Sequence, residues 1–445
     1  MFERSIIKDL RKWAANPYRK PLILRGARQV GKTTIVGQFS KEFDNFLSIN
    51  MEKKEARLLF EATDDVKQLL PLLFLYCNVK QHEGRTLLFL DEVQASPQAV
   101  ALLRYFYEEL PQLYVIAAGS LLETMLDRHI SLPVGRAEYL ALHPCSFIEF
   151  LGAIGEERFI SWILEAKLPE AFHAQMMLYF NVYALIGGMP EVVAHYAANK
   201  DVVALSGIYN QLINAYKNDV EKYAQNRAQS SVIRYILEEG WAFAGQSITL
   251  GGFASSAYKA RETGEAFRTL EKALLLELVY PTVNAMLPAT ADLKKAPKLI
   301  WLDAGLVNYA SNIQKEYLLS KDLTDVWRGM AAEQIVAQEL KTLSSEVGAK
   351  RKYWVRAKRG SSAEVDFVYL YDGLVIPIEV KSGHNAHLKS LHQFMNEAPH
   401  DIAVRVWAGT YSVDEVQTTE GKRFRLVNLP FYLVAALPDI LFQLL

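Results

Sequence analysis

From residue 21 to residue 142, short apolar runs at 21–24, 46–49, 86–90, 114–118 and 139–142 alternate with stretches of helical periodicity. Strand-length apolar runs separated by helices predict a parallel sheet covered on both faces. Between 150 and about 287 the pattern changes to long helical periodicities, including 176–186 and 232–241, with few strand signals. Within that segment, 247–258 and 263–279 read as two helices joined by a short polar turn. Leu270, Leu274 and Leu278 share one face of the second, and the pair looks like a winged-helix segment. After Lys294-Lys295-Ala296-Pro297 strands return at 298–302, 353–356, 364–370 and 374–380, with a helix near 325–343. The chain thus reads as three domains, 1–150, 151–290 and 291–445, with no internal repeat.

Length agrees with this division, because 445 residues at about 150 per domain give roughly three. A hydrophobic content of 51% supplies buried cores and excludes a disordered or fibrous chain. Lys plus Arg number 49 against 50 Asp plus Glu, so any attraction to nucleic acid or lipid must come from local patches. Two cysteines, Cys77 and Cys145, need no disulfide framework and fit a reducing compartment. The first residues carry charges where a signal peptide needs an apolar core, and the apolar runs 69–79 and 430–445 are too short for a bilayer. A soluble cytoplasmic protein is the expectation.

Gly26-Ala27-Arg28-Gln29-Val30-Gly31-Lys32-Thr33 fits the P-loop pattern G-x-x-x-x-G-K-[ST] and lies between a strand and a helix candidate. Backbone N–H groups of such a loop turn in on the phosphates, Lys32 reaches the β and γ oxygens, and Thr33 ligates Mg²⁺. These eight residues and Thr34 are the candidate ATP contacts. The run 86–90 ends in Asp91-Glu92, a Walker B strand in which Asp91 holds the Mg²⁺ shell and Glu92 polarises the attacking water. Ser96-Pro97 makes a helix start, with Ser as N-cap and Pro at the first helical position. In a doubly wound sheet the strand 114–118 lies between the P-loop and Walker B strands, which puts Ser120 near the γ-phosphate as a sensor or leaves it a turn serine.

These residues resemble the prokaryotic AAA+-type ATPases of the AAA-14 class that carry a C-terminal DUF4143 region. The likeness rests on 26–33, on Asp91-Glu92-Val93-Gln94, on Ala118-Gly119-Ser120 and on Gly135-Arg136 before His143-Pro144-Cys145-Ser146-Phe147. It rests also on Gly187-Gly188-Met189-Pro190-Glu191 and Leu302-Asp303-Ala304-Gly305-Leu306. The resemblance implies ATP binding and hydrolysis, with Arg136 as a finger arginine in cis or in trans; the alternative is a salt bridge to an acid such as Glu138. The helical module shows no clear second-sensor arginine.

A strand at 364–370, a turn at Asp372-Gly373 and a strand ending Ile378-Glu379-Val380-Lys381 make a hairpin that gathers Asp366, Glu379 and Lys381 on one face. This resembles the PD-(D/E)xK nuclease core, with Val365 in place of the proline and Glu333 as an accessory acid on the preceding helix. Asp366, Glu379 and Glu333 would ligate Mg²⁺ while Lys381 stabilises developing charge; a salt-bridged hairpin is the plainer reading. Just upstream, Lys350-Arg351-Lys352-Tyr353-Trp354-Val355-Arg356-Ala357-Lys358-Arg359 places six basic residues in ten, a strip for DNA or a solvated edge. By contrast Glu262, Glu265, Glu271 and Glu277 make 263–279 a poor reading helix for phosphates.

The expected fold is therefore α/β: a P-loop NTPase (AAA+-like) parallel sheet, a helical winged-helix module, and a C-terminal α/β restriction-endonuclease-like domain. The expected function is ATP-dependent action on DNA with a Mg²⁺-dependent nuclease. The alternative is an ATP-dependent interaction switch whose nuclease-like domain only binds DNA or a protein.

Overall fold

The computed structural model describes residues 2–119, 135–314, 330–357, 363–381 and 388–445. The first sheet holds β1 (Leu22–Arg25), β2 (Asn45–Asn50), β3 (Thr86–Asp91), β4 (Tyr114–Gly119) and β5 (Glu138–Ala141). All are parallel, in the order β2-β3-β4-β1-β5, so β4 does lie between the P-loop and Walker B strands. Side chains alternate between two cores, as a period of two requires. Leu22, Leu24, Leu87 and Phe89 face the core shared with helix Ile6–Ala15 and the helical module. Ile23, Leu88 and Leu90 face a second core under helices Lys54–Ala62, Val66–Tyr76 and Pro97–Glu109. The Ser96 hydroxyl accepts from the Ala99 N–H at 3.2 Å, capping the last of these helices.

The helical module differs from expectation in one place. Residues 247–258 form no helix beyond the single turn Phe253–Ser255, because Gly252, Ala254 and Ser255 adopt positive φ and break the helical path. The following helix, Ala260–Lys272, is opened by Glu262, which accepts from the Lys259 N–H at 2.8 Å. It stops well before residue 279. Leu274 turns with φ 60°, and β6 (Leu276–Val279) follows. As a strand the segment buries Leu276, Leu278 and Val279 and places Glu277 against Arg351 and Lys341, and β6 pairs antiparallel with β8 (Lys298–Trp301).

Between them β7 (Pro281–Thr282) joins a second large sheet instead. That sheet is completed by β9 (Lys352–Val355), β10 (Glu364–Tyr371), β11 (Leu374–Lys381), β12 (Ile402–Trp407), β13 (Ser412–Gln417) and β14 (Arg423–Pro430). Its order is β13-β14-β12-β11-β10-β9-β7. The β10–β11 hairpin turns at Asp372 and Gly373, both with positive φ, the signature of a two-residue primed turn. Among the described residues no helix is long and apolar enough to cross a membrane.

The three parts meet at a buried polar knot. Asp303, fully buried, accepts from the Gly188 N–H at 2.6 Å and from the Leu306 N–H at 3.0 Å. The Cys145 N–H donates to Gly188 O at 2.6 Å, and a Cβ at Gly188 would lie 2.1 Å from Cys145 O. A Cβ at Gly305 would lie 1.9 Å from Ile186 O, so both positions require glycine. Helix Met330–Thr342 closes the knot. Glu339 accepts from the Phe147 N–H at 3.0 Å and from the Tyr183 hydroxyl at 2.6 Å, while Gln338 accepts from the Ala304 N–H at 2.8 Å.

Burial raises both acids of this knot, Asp303 to about 6 and Glu339 to about 7, although the hydrogen bonds they accept oppose the shift. A carboxyl with a folded pKa above its unfolded value contributes stability that is lost as pH rises through the folded value. Between about pH 7 and 8 the unfolded-state histidines are mostly neutral, so His143, His392 and His400, held neutral by burial in the folded chain, contribute little there. Thermal unfolding is therefore expected at progressively lower temperature as pH rises across that range. Glu339→Gln, whose amide oxygen can accept the same two bonds, should make the profile shallower than the parent's, with Glu333 and Glu379, which burial also raises to about 7, supplying the remaining slope. A midpoint that climbs with pH there would refute the assignment.

Candidate functional site

The loop Gly26–Thr33 leaves the carboxyl end of β1 and enters helix Lys32–Phe39, with Gln29 at φ 67° and Gly31 at φ 95°. Gly26 sits where a Cβ would meet Leu142 O at 2.6 Å, so the loop can pass there only as glycine. Lys32 is buried and donates to Gly26 O at 2.9 Å and Ala27 O at 2.8 Å. Burial lowers it to about 8 against the pull of Glu92 and Asp91. The Thr33 hydroxyl donates to Asp91 Oδ2 at 2.7 Å, which joins the start of the helix to the end of β3. Asp91 is pushed up chiefly by burial, with the Thr33 bond opposing. Glu92 takes φ 50°, and its carboxylate accepts from the Gln94 amide.

Three contacts on this loop were not legible in the motif. Arg28 is ion-paired to the buried Asp219, which caps helix Ser206–Asn218 of the helical module. From the same helix the Tyr216 hydroxyl donates to Arg28 O at 3.2 Å. Arg4 donates to Val30 O at 3.2 Å and to His143 O at 2.7 Å, and pairs with Glu149 at 2.9 Å. The helical module therefore touches the loop with an acid and a tyrosine, and the loop itself carries the arginine. A search for a sensor arginine in the module looks for the opposite polarity.

Arg136 is not brought to its own P-loop. It stands just before β5, whose Glu138 is level with Leu22 at the start of β1, whereas the loop leaves the other end of that strand. Arg136 pairs with Glu108 at 2.6 Å; Glu138, the acid expected to hold it, accepts from the Lys20 N–H at 2.8 Å instead. Ser120 lies outside the described residues.

In the C-terminal sheet, Asp366, Glu379, Lys381 and Glu333 do converge, with a sixth and a fifth member that the motif did not include. Lys298, at the start of β8, places its ammonium 2.8 Å from Glu333, 2.7 Å from Glu364 and 3.4 Å from Asp366. Its side chain is only 3% exposed. Asp366 also accepts from the Val380 N–H at 2.8 Å, and Lys381 pairs with Glu379 at 2.7 Å. The other oxygen of Glu379 is buried without a partner. Glu333 and Glu379 are both pushed up, first by burial and then by Asp366. Among the described residues no three His, Cys, Asp or Glu side chains are arranged to hold a metal ion. As arranged, these carboxylates fit an ammonium group and do not fit a divalent cation.

The basic strip is largely used inside the fold. Lys350 pairs with Glu271 at 3.5 Å, Arg351 with Glu277 at 2.9 Å and Arg356 with Glu397 at 3.1 Å. Glu277 is held down at about 2 by Arg351 and Lys341 despite its burial. The rings of Tyr353 and Trp354 are buried and present no stacking face. Lys358 and Arg359 lie outside the described residues. Among the described residues of the strip, Lys350, Arg351 and Arg356 are thus paired with acids of the fold, the Lys350 side chain remaining largely exposed.

Residues 18–151 match the AAA domain family AAA_14, residues 177–317 a domain of unknown function, DUF8612, and residues 328–432 another, DUF4143. No protein with a curated description matches the chain. Among solved structures, the Walker-type ATPase PABY2304 of Pyrococcus abyssi aligns with 70% of this chain and 96% of its own at 16% identity and a TM-score of 0.44. The parallel sheet, the loop between β1 and its helix, the acids ending β3 and the two matches lead to one assignment: the chain carries an AAA_14 P-loop ATPase domain followed by a C-terminal DUF4143 region.

Proposed function

We propose that the chain binds and hydrolyses ATP and uses the change in its P-loop to switch the helical module and, through it, the C-terminal domain. The observation that carries this reading is the Thr33–Asp91 contact of 2.7 Å, with the Lys32 ammonium and Glu92 at the same strand ends. A hydroxyl and a carboxylate oxygen set this close, the carboxylate raised by burial, suit a divalent cation as ligands. Mg²⁺, which neutralises charge on the β- and γ-phosphates, would be held by Thr33 and Asp91. Lys32 would exchange its two backbone carbonyls for phosphate oxygens, which are better acceptors for an ammonium. Glu92 would orient the attacking water and take its proton. Arg28, paired to Asp219, supports transmission to the helical module, since phosphate at the loop competes for the same guanidinium. Arg136, at the end of the strands away from the P-loop, suits a role toward a neighbouring copy.

Mg²⁺-dependent cleavage of DNA at Asp366, Glu379 and Lys381 is the second reading, favoured by the orphaned Glu379 oxygen. Incubating the purified chain with plasmid and single-stranded DNA, with and without Mg²⁺ and ATP, separates the two. Cleavage lost in Asp366→Ala establishes the second reading, whereas intact DNA in every condition leaves the interaction switch.

For the nucleotide site, Lys32→Ala should weaken ATP binding about ten- to hundredfold in calorimetry, because a charge-assisted bond to phosphate is lost. Affinity equal to the parent's would remove Lys32 from the site. Glu92→Gln should keep ATP bound and slow hydrolysis by roughly two orders of magnitude or more. Unchanged turnover would mean that another group activates the water.

A further inference from the structure

The C-terminal acid cluster is surrounded on more sides than its motif implies. Besides Glu333, Glu364 and Asp366, the Lys298 ammonium lies 5.1 Å from the Tyr353 ring centre and 5.9 Å from that of Phe367. An ammonium has three N–H donors, and three carboxylates stand within reach. The backbone that delivers it is fixed on both sides: Ile248 N–H donates to Pro297 O at 2.8 Å, Leu299 N–H to Gln246 O at 2.8 Å, and the Tyr353 hydroxyl to Ala296 O at 2.6 Å. Lysine is thus built into the cluster from a strand that belongs to the β6–β8 pair, and not to the seven-stranded sheet.

We propose that this cluster is a receptor for the chain's own lysine: the Lys298 ammonium takes the place a divalent cation holds in carboxylate-based phosphodiester cleavage, and excludes that cation while β8 is seated. The distances carry the point. Acceptors gathered around an ammonium lie 2.7–3.4 Å from its nitrogen. A Mg²⁺ or Mn²⁺ ion needs oxygens at about 2.0–2.2 Å, so the acids would have to close in and the lysine leave. Removing a buried ammonium from three carboxylates is costly, because Glu333 and Asp366, the more buried two, are then left without their counter-charge. The same contact ties the β6–β8 pair, and with it helix Ala260–Lys272, to the C-terminal sheet. A cation can enter only when those two parts separate. The inference rests on the acid cluster alone and is independent of ATP hydrolysis.

Mn²⁺ is the probe, used on the full chain without nucleotide, with thermal unfolding and calorimetry as readouts. The parent should show no Mn²⁺ binding that Asp366→Asn removes. Lys298→Met should unfold roughly 5 °C or more below the parent without metal. It should recover with millimolar Mn²⁺ and bind the ion at least about tenfold tighter than the parent, and Asp366→Asn added to it should abolish both effects. Asp366-dependent binding in the parent as tight as in Lys298→Met overturns the proposal, as does a Lys298→Met chain that is fully stable and blind to Mn²⁺. Should Lys298→Met not fold, the comparison of the parent with its single Asp366→Asn variant decides: identical Mn²⁺ isotherms uphold the exclusion, and a lost site refutes it. ATPase activity serves as the control for a folded P-loop domain.

Discussion

The three parts of the chain are held in place by one carboxylate whose hydrogen-bond donors, among the described residues, are backbone and amide N–H groups. Asp303 is fully buried, and its charge is balanced by the backbone N–H groups of Gly188 and Leu306 and, at longer range, by the Gln338 amide. A buried acid satisfied this way needs its donors at close range, and close range requires that the donating backbone carry no side chain on the facing side. That is why Gly187, Gly188 and Gly305 surround it: a Cβ at any of them would fall within 2.5 Å of a neighbouring atom. The segment after β5 is drawn in by the bond between Cys145 and Gly188, so the orientation of the P-loop sheet depends on the same constraint.

From this knot, helix Met330–Thr342 runs to the acid cluster. Along it, Glu339 and Gln338 belong to the knot, Gln334 exchanges two bonds with the Trp301 backbone at 3.0 and 2.8 Å, and Glu333 meets Lys298. On the other side the Tyr209 hydroxyl donates to Ile186 O at 2.7 Å, and its helix ends at Asp219 against Arg28 of the P-loop. An unbroken series of contacts therefore connects the nucleotide loop with the C-terminal charges. Such a path gives a rigid mechanical frame; energetic coupling along it additionally needs an element with two arrangements. Arg28–Asp219 and Lys298 with its three acids are ion pairs between parts and meet that description better than the knot, whose acid is held by backbone.

Much of the first sheet was legible because its signals are local. Strand-length apolar runs, a glycine-rich loop and a strand ending in two acids are each contained in fewer than ten residues, and β1 to β5 fall within about two positions of their sequence expectation. The Asp372-Gly373 hairpin was legible for the same reason. What failed was the assignment of 247–279 to two helices, where Leu274 to Leu278 fit a helical face as well as a strand and pairing with β8 decided the matter. Strands β12 to β14 went unassigned, although each is a run of six or more residues. Glu364 was within reach of the reading, since it lies two positions before Asp366 on the same strand face. Lys298 and Asp219 were not, because each acts 35 or more residues away from its partners in a different part of the fold.

The charges show the same limit in another form. Taken alone, Glu271 and Glu277 marked the helix and strand after residue 260 as unsuited to phosphate, and Lys350 and Arg351 marked the following strip as suited to it. In the folded chain they are each other's partners, with Lys341 adding a second cation to Glu277. A run of like charge in a sequence has two equivalent explanations, an external ligand of opposite sign or an internal one. The net charge of -1 does not choose between them, because a local patch of one sign can be balanced elsewhere on the chain, so the pairings themselves decide. The pairing has a structural consequence as well. Ion pairs that are half-buried between two parts are weakened less by salt than exposed ones, so the seat of the β6–β8 pair against the C-terminal sheet is set by geometry and burial more than by ionic strength.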